Sequence, residues 1–113
     1  MKGCTMTIRP GEFWVATIPF TSGGGTKKRP VLVLWLDAAD AVAAAVTTAK
    51  PRSAFDVELV DWKSAGLRKA STVRLSRLDC LEQSLLIGRI GTISSADGER
   101  VKQTWTASIK PRF

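Results

Sequence analysis

Asp37-Ala38-Ala39-Asp40-Ala41-Val42-Ala43-Ala44-Ala45-Val46-Thr47-Thr48-Ala49 is the stretch on which the fold turns. Its alanines favour a helix by intrinsic propensity, whereas Val42 to Thr48, ending in the β-branched Val46, Thr47 and Thr48, suits a buried strand. Propensity alone selects the helix. Its neighbours on both sides read more clearly.

Upstream, Glu12 to Phe20 is rich in Phe, Trp, Val, Thr and Ile, the composition of a strand. It runs into the turn-forming Thr21-Ser22-Gly23-Gly24-Gly25-Thr26, and Lys27, Lys28 and Arg29 close that loop. Pro30 then opens the continuous apolar run Val31 to Leu36, a pattern expected of a strand buried on both faces, with Pro tolerated at its first residue.

Downstream, Lys50, Pro51, Arg52 and Ser53 form a basic loop. Phe55, Val57 and Leu59 alternate with Asp56, Glu58 and Val60 as in a half-buried strand. Asp61 to Ala70 reads as a turn segment whose Trp62 is large enough to cover a sheet face. In the next strand Val73 and Leu75 point inward and Arg74 and Ser76 lie on the other, polar face. Gly88 and Gly91 interrupt the apolar stretch Leu85 to Ile93, which suggests a bend or a close backbone approach. A terminal helix follows, capped by Ser94 or Ser95, with Asp97 in its first turn and Val101, Trp105 and Ile109 on one face. Gly98 weakens that helix by about 1 kcal/mol relative to Ala. Trp14, Trp35, Trp62 and Trp105 are assigned to the core, the usual place for aromatics in so small a chain. Short strands plus one terminal helix make the fold mainly β, a strongly curled antiparallel sheet or barrel.

With 113 residues the chain is read as one domain, residues 1–113. Seventeen Lys and Arg against ten Asp and Glu give a net charge of +7 and a pI near 10.0, which biases the partner toward a polyanion. There is no His, so Cys4 and Cys80 have nothing with which to build a zinc site or a Cys-His nucleophile. They read as free thiols in a reducing cytosol. No apolar run approaches the ~20 residues of a membrane span and Met1 to Arg9 lacks a signal core, which points to the cytoplasm and no membrane partner.

The missing His also excludes an imidazole base and a Ser-His pair, and neither a P-loop nor a Gly-x-Gly-x-x-Gly fingerprint is present. No cofactor and no metal are called for. Arginine remains. A guanidinium is charged at every working pH and grips phosphate with two parallel hydrogen bonds. Arg29 enters a buried strand from a basic loop, and Arg74 stands on the polar face of another. From spacing alone, solvated cations or surface ion pairs are a slightly better reading of both.

Five motifs shift that balance: Gly11-Glu12-Phe13-Trp14, Arg29-Pro30-Val31-Leu32-Val33, Val46-Thr47-Thr48, Ser71-Thr72-Val73-Arg74 and Arg89-Ile90-Gly91-Thr92-Ile93-Ser94. In order and spacing they resemble the MazF/PemK (Kid) toxin family from about Gly11 to the C-terminus. The resemblance implies an SH3-like barrel of the CcdB/MazF/Kid type with a C-terminal helix, core about 11–113, and makes Val42 to Thr48 a strand. It also implies a homodimer, a cognate antitoxin, and sequence-selective cutting of single-stranded RNA.

The resemblance assigns catalysis to Arg29, Thr47 and Arg74, with Glu12, Lys27, Lys28, Thr48, Lys50, Arg52 and Ser76 on the RNA. The implied chemistry is metal-independent transesterification: the RNA 2′-hydroxyl attacks the adjacent phosphate, leaving 2′,3′-cyclic phosphate and 5′-hydroxyl ends. The arginines neutralise the transition state and Thr47 positions a reacting oxygen. Part of the family has an acidic residue where this chain has Ser76, leaving Glu12, Asp79 or Glu82 to supply a carboxylate. The loop before Arg29 also lacks a glutamate often found there. The competing reading is a non-catalytic RNA-binding or gyrase-targeting, CcdB-like module on the same fold. An acidic antitoxin tail is expected to lie across Lys27 to Arg29 and Lys50 to Arg52.

Overall fold

The computed structural model describes residues 7–19 and 23–113. Cys4, the Met1 to Met6 part of the N-terminal segment, Phe20 at the end of the first strand, and Thr21 and Ser22 of the loop lie outside the described residues. Six strands, β1 (Glu12–Pro19), β2 (Thr26–Asp37), β3 (Asp40–Thr47), β4 (Asp56–Glu58), β5 (Thr72–Glu82) and β6 (Leu86–Thr92), precede one helix, α1 (Ser95–Ser108). They form a single antiparallel sheet in the order β4-β5-β3-β2-β1-β6. This is the mainly β architecture with a C-terminal helix that the sequence implies.

The alanine-rich stretch is a strand because it occupies the middle of the sheet. Paired with β2 on one side and β5 on the other, β3 buries Ala41, Ala43, Ala44 and Ala45. Burial on both faces outweighs a helix propensity that differs by only fractions of a kcal/mol per residue. On one face Phe13, Leu32, Ala44, Val46, Val57, Val73 and Leu75 pack with Val101 of α1. On the other, Trp14, Ala16, Val31, Val33, Ala41, Ala43 and Leu81 form a second cluster.

The β2 strand departs from the sequence reading at both ends. It starts at Thr26, so Lys27, Lys28 and Arg29 pair with β1 and belong to the strand, not to the loop. Pro30 is therefore internal. The Val33 carbonyl faces β1, since it accepts from Gly11 N–H at 2.7 Å, and by alternation the Pro30 nitrogen faces β3. The β2–β3 ladder stops at Val31↔Ala45, so no ladder donor is needed at Pro30. At the far end the run is not buried on both faces: a bulge follows Val33, and Trp35 and Leu36 are exposed beyond the core clusters. Trp35 thus departs from the all-core assignment, 42% exposed and edge-to-face on Trp105 at 5.5 Å. Trp14 is buried, and Trp62 and Trp105 pack against the first cluster.

The sheet curls until the segment between β4 and β5 reaches β6. Leu59 N–H donates to Ser71 O at 2.9 Å, and the turn at Ala65 and Gly66 lies on Ile90 and Gly91. A Cβ on Gly91 would run into the Ala65 carbonyl, and one on Gly66, whose φ is +92°, would stand 2.5 Å from Ile90 O. These are the close approaches foreshadowed by the glycines of β6. Ser94 caps α1, accepting from Asp97 N–H. The buried Asp97 carboxylate accepts from Val60 and Asp61 N–H at 3.1 and 2.8 Å and pairs with Arg100, anchoring the segment to the helix. Among the described residues no helix is long and apolar enough to cross a membrane.

Candidate functional site

Strand register brings the three candidate catalytic residues together. Val31 stands opposite Ala45, Ala45 opposite Arg74, and Arg74 opposite Asp56. Cross-strand partners share a face, so these residues make one row across β2, β3, β5 and β4. Two positions along each strand the same face recurs. There Thr47 is opposite Thr72 and Thr72 opposite Glu58, and continuing the β2–β3 register two residues past Val31 sets Arg29 opposite Thr47. Arg29, Thr47 and Arg74 thus lie in adjacent rows of one face, rows that span about 14 Å at the usual strand spacing.

A corner in β5 shapes the far side of this face. Arg74 pairs with Ala45 and Leu78 with Ala44, so Leu75, Ser76 and Arg77 have no partner in β3. Leu75 N–H turns to Phe55 O at 3.0 Å, and the strand bends, leaving Ser76 and Arg77 exposed.

Arg29 lines two clefts. One, of about 590 Å³, is lined by the apolar Val15, Pro30, Leu67 and Ile90, by the cations Lys28, Arg68 and Lys69, and by Thr48 and Ser71. The other, of about 410 Å³, gathers Lys27, Arg77 and Asp79 around Val31, Ala45 and Leu81. Arg68, Lys69 and Arg77 are cations that sequence reasoning did not single out. Their only signal was charge, and their approach to Arg29 depends on the path of the closing segment and on the β5 corner.

Arg74 corrects an expectation. It lies on the face away from Val73 and Leu75, as alternation requires, but that face is covered: the residue is only 8% exposed. Its Nε is buried without a hydrogen-bond partner, and it enters no ion pair among the described residues. A buried donor of a charged group left without an acceptor is costly, and an anion at this position would satisfy it. Thr47 Oγ1 accepts from Ala49 N–H at 3.2 Å, and Asp56 Oδ2 from Arg52 N–H at 2.9 Å, which ties down the intervening loop.

The other named residues divide. Lys28 and Thr48 line the first cleft and Lys27 the second, while Lys50 and Arg52 are exposed on the loop beside them. Glu12 sits apart, in a separate cleft with Thr7, Arg9 and Arg89. Its Oε1 accepts from Arg9 N–H at 2.8 Å and Trp14 Nε1 at 3.0 Å, and its Oε2 from Arg89 Nε at 2.8 Å. Burial pushes this carboxyl up, but the bonds from Trp14, Arg9 and Arg89, with the charge of Arg89, outweigh it and hold the group below its ordinary value. Glu82 is exposed near the end of β5, opposite Asp40.

Residues 9–109 match the family model described as PemK-like, MazF-like toxin of type II toxin-antitoxin system. Among solved structures, the chain resembles an endoribonuclease from Mycobacterial species, with TM-score 0.71 and 16% identity over 93% of each chain. It also resembles an endoribonuclease in complex with its cognate antitoxin, likewise mycobacterial, with TM-score 0.69 and 19% identity over 93% of this chain and 100% of that one. MazF from Deinococcus radiodurans gives TM-score 0.66 and 19% identity over 91% and 96%. At such identities the structural likeness establishes the fold. No curated protein matches in sequence.

Proposed function

As the chain belongs to the PemK-like, MazF-like toxin family of type II toxin-antitoxin systems, we propose that it is a toxin that cuts single-stranded RNA, without metal, by attack of the 2′-hydroxyl on the adjacent phosphate. The observation that carries this reading is the convergence of Arg29, Thr47 and Arg74 on one sheet face, with Arg74 Nε buried and, among the described residues, without a hydrogen-bond partner. That arrangement is a preorganised receptor for a phosphate whose charge grows as the 2′-oxygen adds. Arg29 and Arg74 stabilise the phosphorane-like transition state, and Thr47 orients one of its oxygens. Lys28, Thr48, Arg68 and Lys69 hold the strand on one side of Arg29, Lys27 and Arg77 on the other, and Lys50, Arg52 and Ser76 border the path. Glu12 is committed to Arg89, Trp14 and Arg9, and no RNA contact is proposed for it.

In this reading the whole chain is one toxin domain that acts in the cytoplasm as a homodimer and needs no cofactor. A cognate antitoxin restrains it with an acidic tail across the basic residues 27–29 and 50–52, because that tail competes with RNA for the same cations. Part of the family has an acidic residue at the position that is Ser76 here. Its absence supports the second reading, a non-catalytic RNA-binding or gyrase-targeting module.

The two readings separate when purified protein is incubated with a long RNA in EDTA and fragment ends are mapped. Cleavage to cyclic-phosphate and 5′-hydroxyl ends is expected. Arg29→Ala and Thr47→Ala should each reduce it, by about 100- to 1,000-fold for the arginine, with the barrel still folded. Intact RNA across varied sequences would leave the binding module.

A further inference from the structure

Attack by a 2′-hydroxyl requires a proton acceptor, and the chain has no His to be one. Its arginines hold their protons too tightly for the task. The acidic side chains can instead be sorted by position. Glu12 is held by three donors in another cleft, and Glu82 is exposed near the end of β5. Asp79 is half-buried and lines the second cleft with Arg29, but it pairs with Ala43 beyond the corner, and the bulge separates it from Arg74. Glu58 shares the row of Thr72 but is exposed, and among the described residues no hydrogen bond fixes its carboxylate.

Asp56 differs from all of these. It is half-buried, it is the direct cross-strand partner of Arg74 on the same face, and one of its oxygens is fixed by Arg52 N–H, leaving Oδ1 free. Neighbouring opposite charges in such a pair ordinarily meet, their Cβ atoms being about 5 Å apart. Here they form no ion pair, and Arg74 Nε stays without a partner. An anion placed at Arg74 therefore lies next to a carboxylate that is already oriented.

We propose that Asp56 is the proton acceptor of this site, paired across the strands with the phosphate-binding Arg74. The inference rests on the endoribonuclease reading. In the step, the 2′-O–H bond breaks and its proton passes to Asp56 Oδ1, while the freed electron pair forms the bond from the 2′-oxygen to phosphorus. The bond from phosphorus to the 5′-oxygen breaks, and its electron pair stays on that oxygen, which takes a proton from water. Asp56 then returns its proton to solvent, so the reaction is balanced without a further reagent.

The test compares wild type with Asp56→Asn, Asp79→Asn, Glu58→Gln and Asp56→Glu in single-turnover cleavage of one RNA oligonucleotide across pH. Binding of the uncleavable 2′-deoxy oligonucleotide is measured in parallel. Asn retains an oxygen for Arg52 N–H, so the loop stays in place. Asp56→Asn should slow cleavage at least about 100-fold with binding and thermal stability unchanged, and should abolish the acid limb of the pH profile. Asp56→Glu should recover part of the rate. Wild-type cleavage by Asp56→Asn, a persisting acid limb, or an equal loss in Asp79→Asn or Glu58→Gln alone would overturn the proposal while leaving the nuclease reading intact. A wild type that binds RNA but never cuts it would remove both.

Discussion

Arg74→Met should make the protein more stable and less active at once. The native residue is only 8% exposed and, among the described residues, its buried Nε has no acceptor, so the fold leaves one donor of a charged group unsatisfied. Leaving one buried donor unsatisfied costs about 1–3 kcal/mol, and replacing a buried charge by an apolar side chain of similar volume is often neutral or stabilising by up to about 4 kcal/mol. Methionine follows the aliphatic stem of arginine and fits irregular space. A gain of about 1–3 kcal/mol is therefore expected, about 4–12 °C in melting temperature for a chain of this size. Thermal and urea unfolding at fixed protein concentration measure it. Added inorganic phosphate should raise the melting temperature of wild type more than that of Arg74→Met, because a ligand of the native state stabilises in proportion to its binding. A variant destabilised by about 2 kcal/mol or more, or equally responsive to phosphate, would instead show that Arg74 is a structural cation.

Three further outcomes follow from local geometry. Ala38 is the first of the two residues linking Asp37 to Asp40 and has φ +53°, so Ala38→Gly should stabilise the β2–β3 hairpin by about 1 kcal/mol, read as a shift in the urea midpoint. Gly91→Ala should cost about 1–3 kcal/mol or more, since its methyl meets the Ala65 carbonyl, whereas Gly88→Ala, with open space around it, should unfold nearly as wild type. Glu12 titrates below its ordinary value in the folded protein, so its contribution is present above the unfolded-state pKa and is lost as pH falls through the lowered one. Unfolding measured from neutral to acid pH should show a smaller acid-side loss for Glu12→Gln than for wild type, and parallel curves would contradict the assignment.

Most of the strands were legible because apolar runs and turn residues mark them locally. The β3 strand was not, because its alanines carry a weak helical preference and only pairing with β2 and β5 decides the matter. The start of β2 is misplaced for a similar reason: Pro30 looks like a boundary until its nitrogen is seen to face the side where no ladder bond is made. The exposure of Trp35 reflects how far β2 outruns the clusters, a length no local pattern encodes. At the site, alternation gave the correct face for Arg74 but not its burial, which depends on what covers that face. Arg68, Lys69 and Arg77 were ordinary charges in sequence, and Asp56 was one polar position in an alternating strand. Cross-strand pairing, absent from any single segment, sets Asp56 beside Arg74.

Two oligonucleotides in EDTA reveal whether phosphate is transferred to the RNA's own 2′-oxygen. One carries the mapped cleavage site as RNA, and the other is identical except for a 2′-deoxy sugar on the nucleotide 5′ to the scissile phosphate. The first should be cut to cyclic-phosphate and 5′-hydroxyl ends while the second is bound and left whole. Cleavage of the 2′-deoxy oligonucleotide, or 5′-phosphate ends on either product, would contradict that transfer.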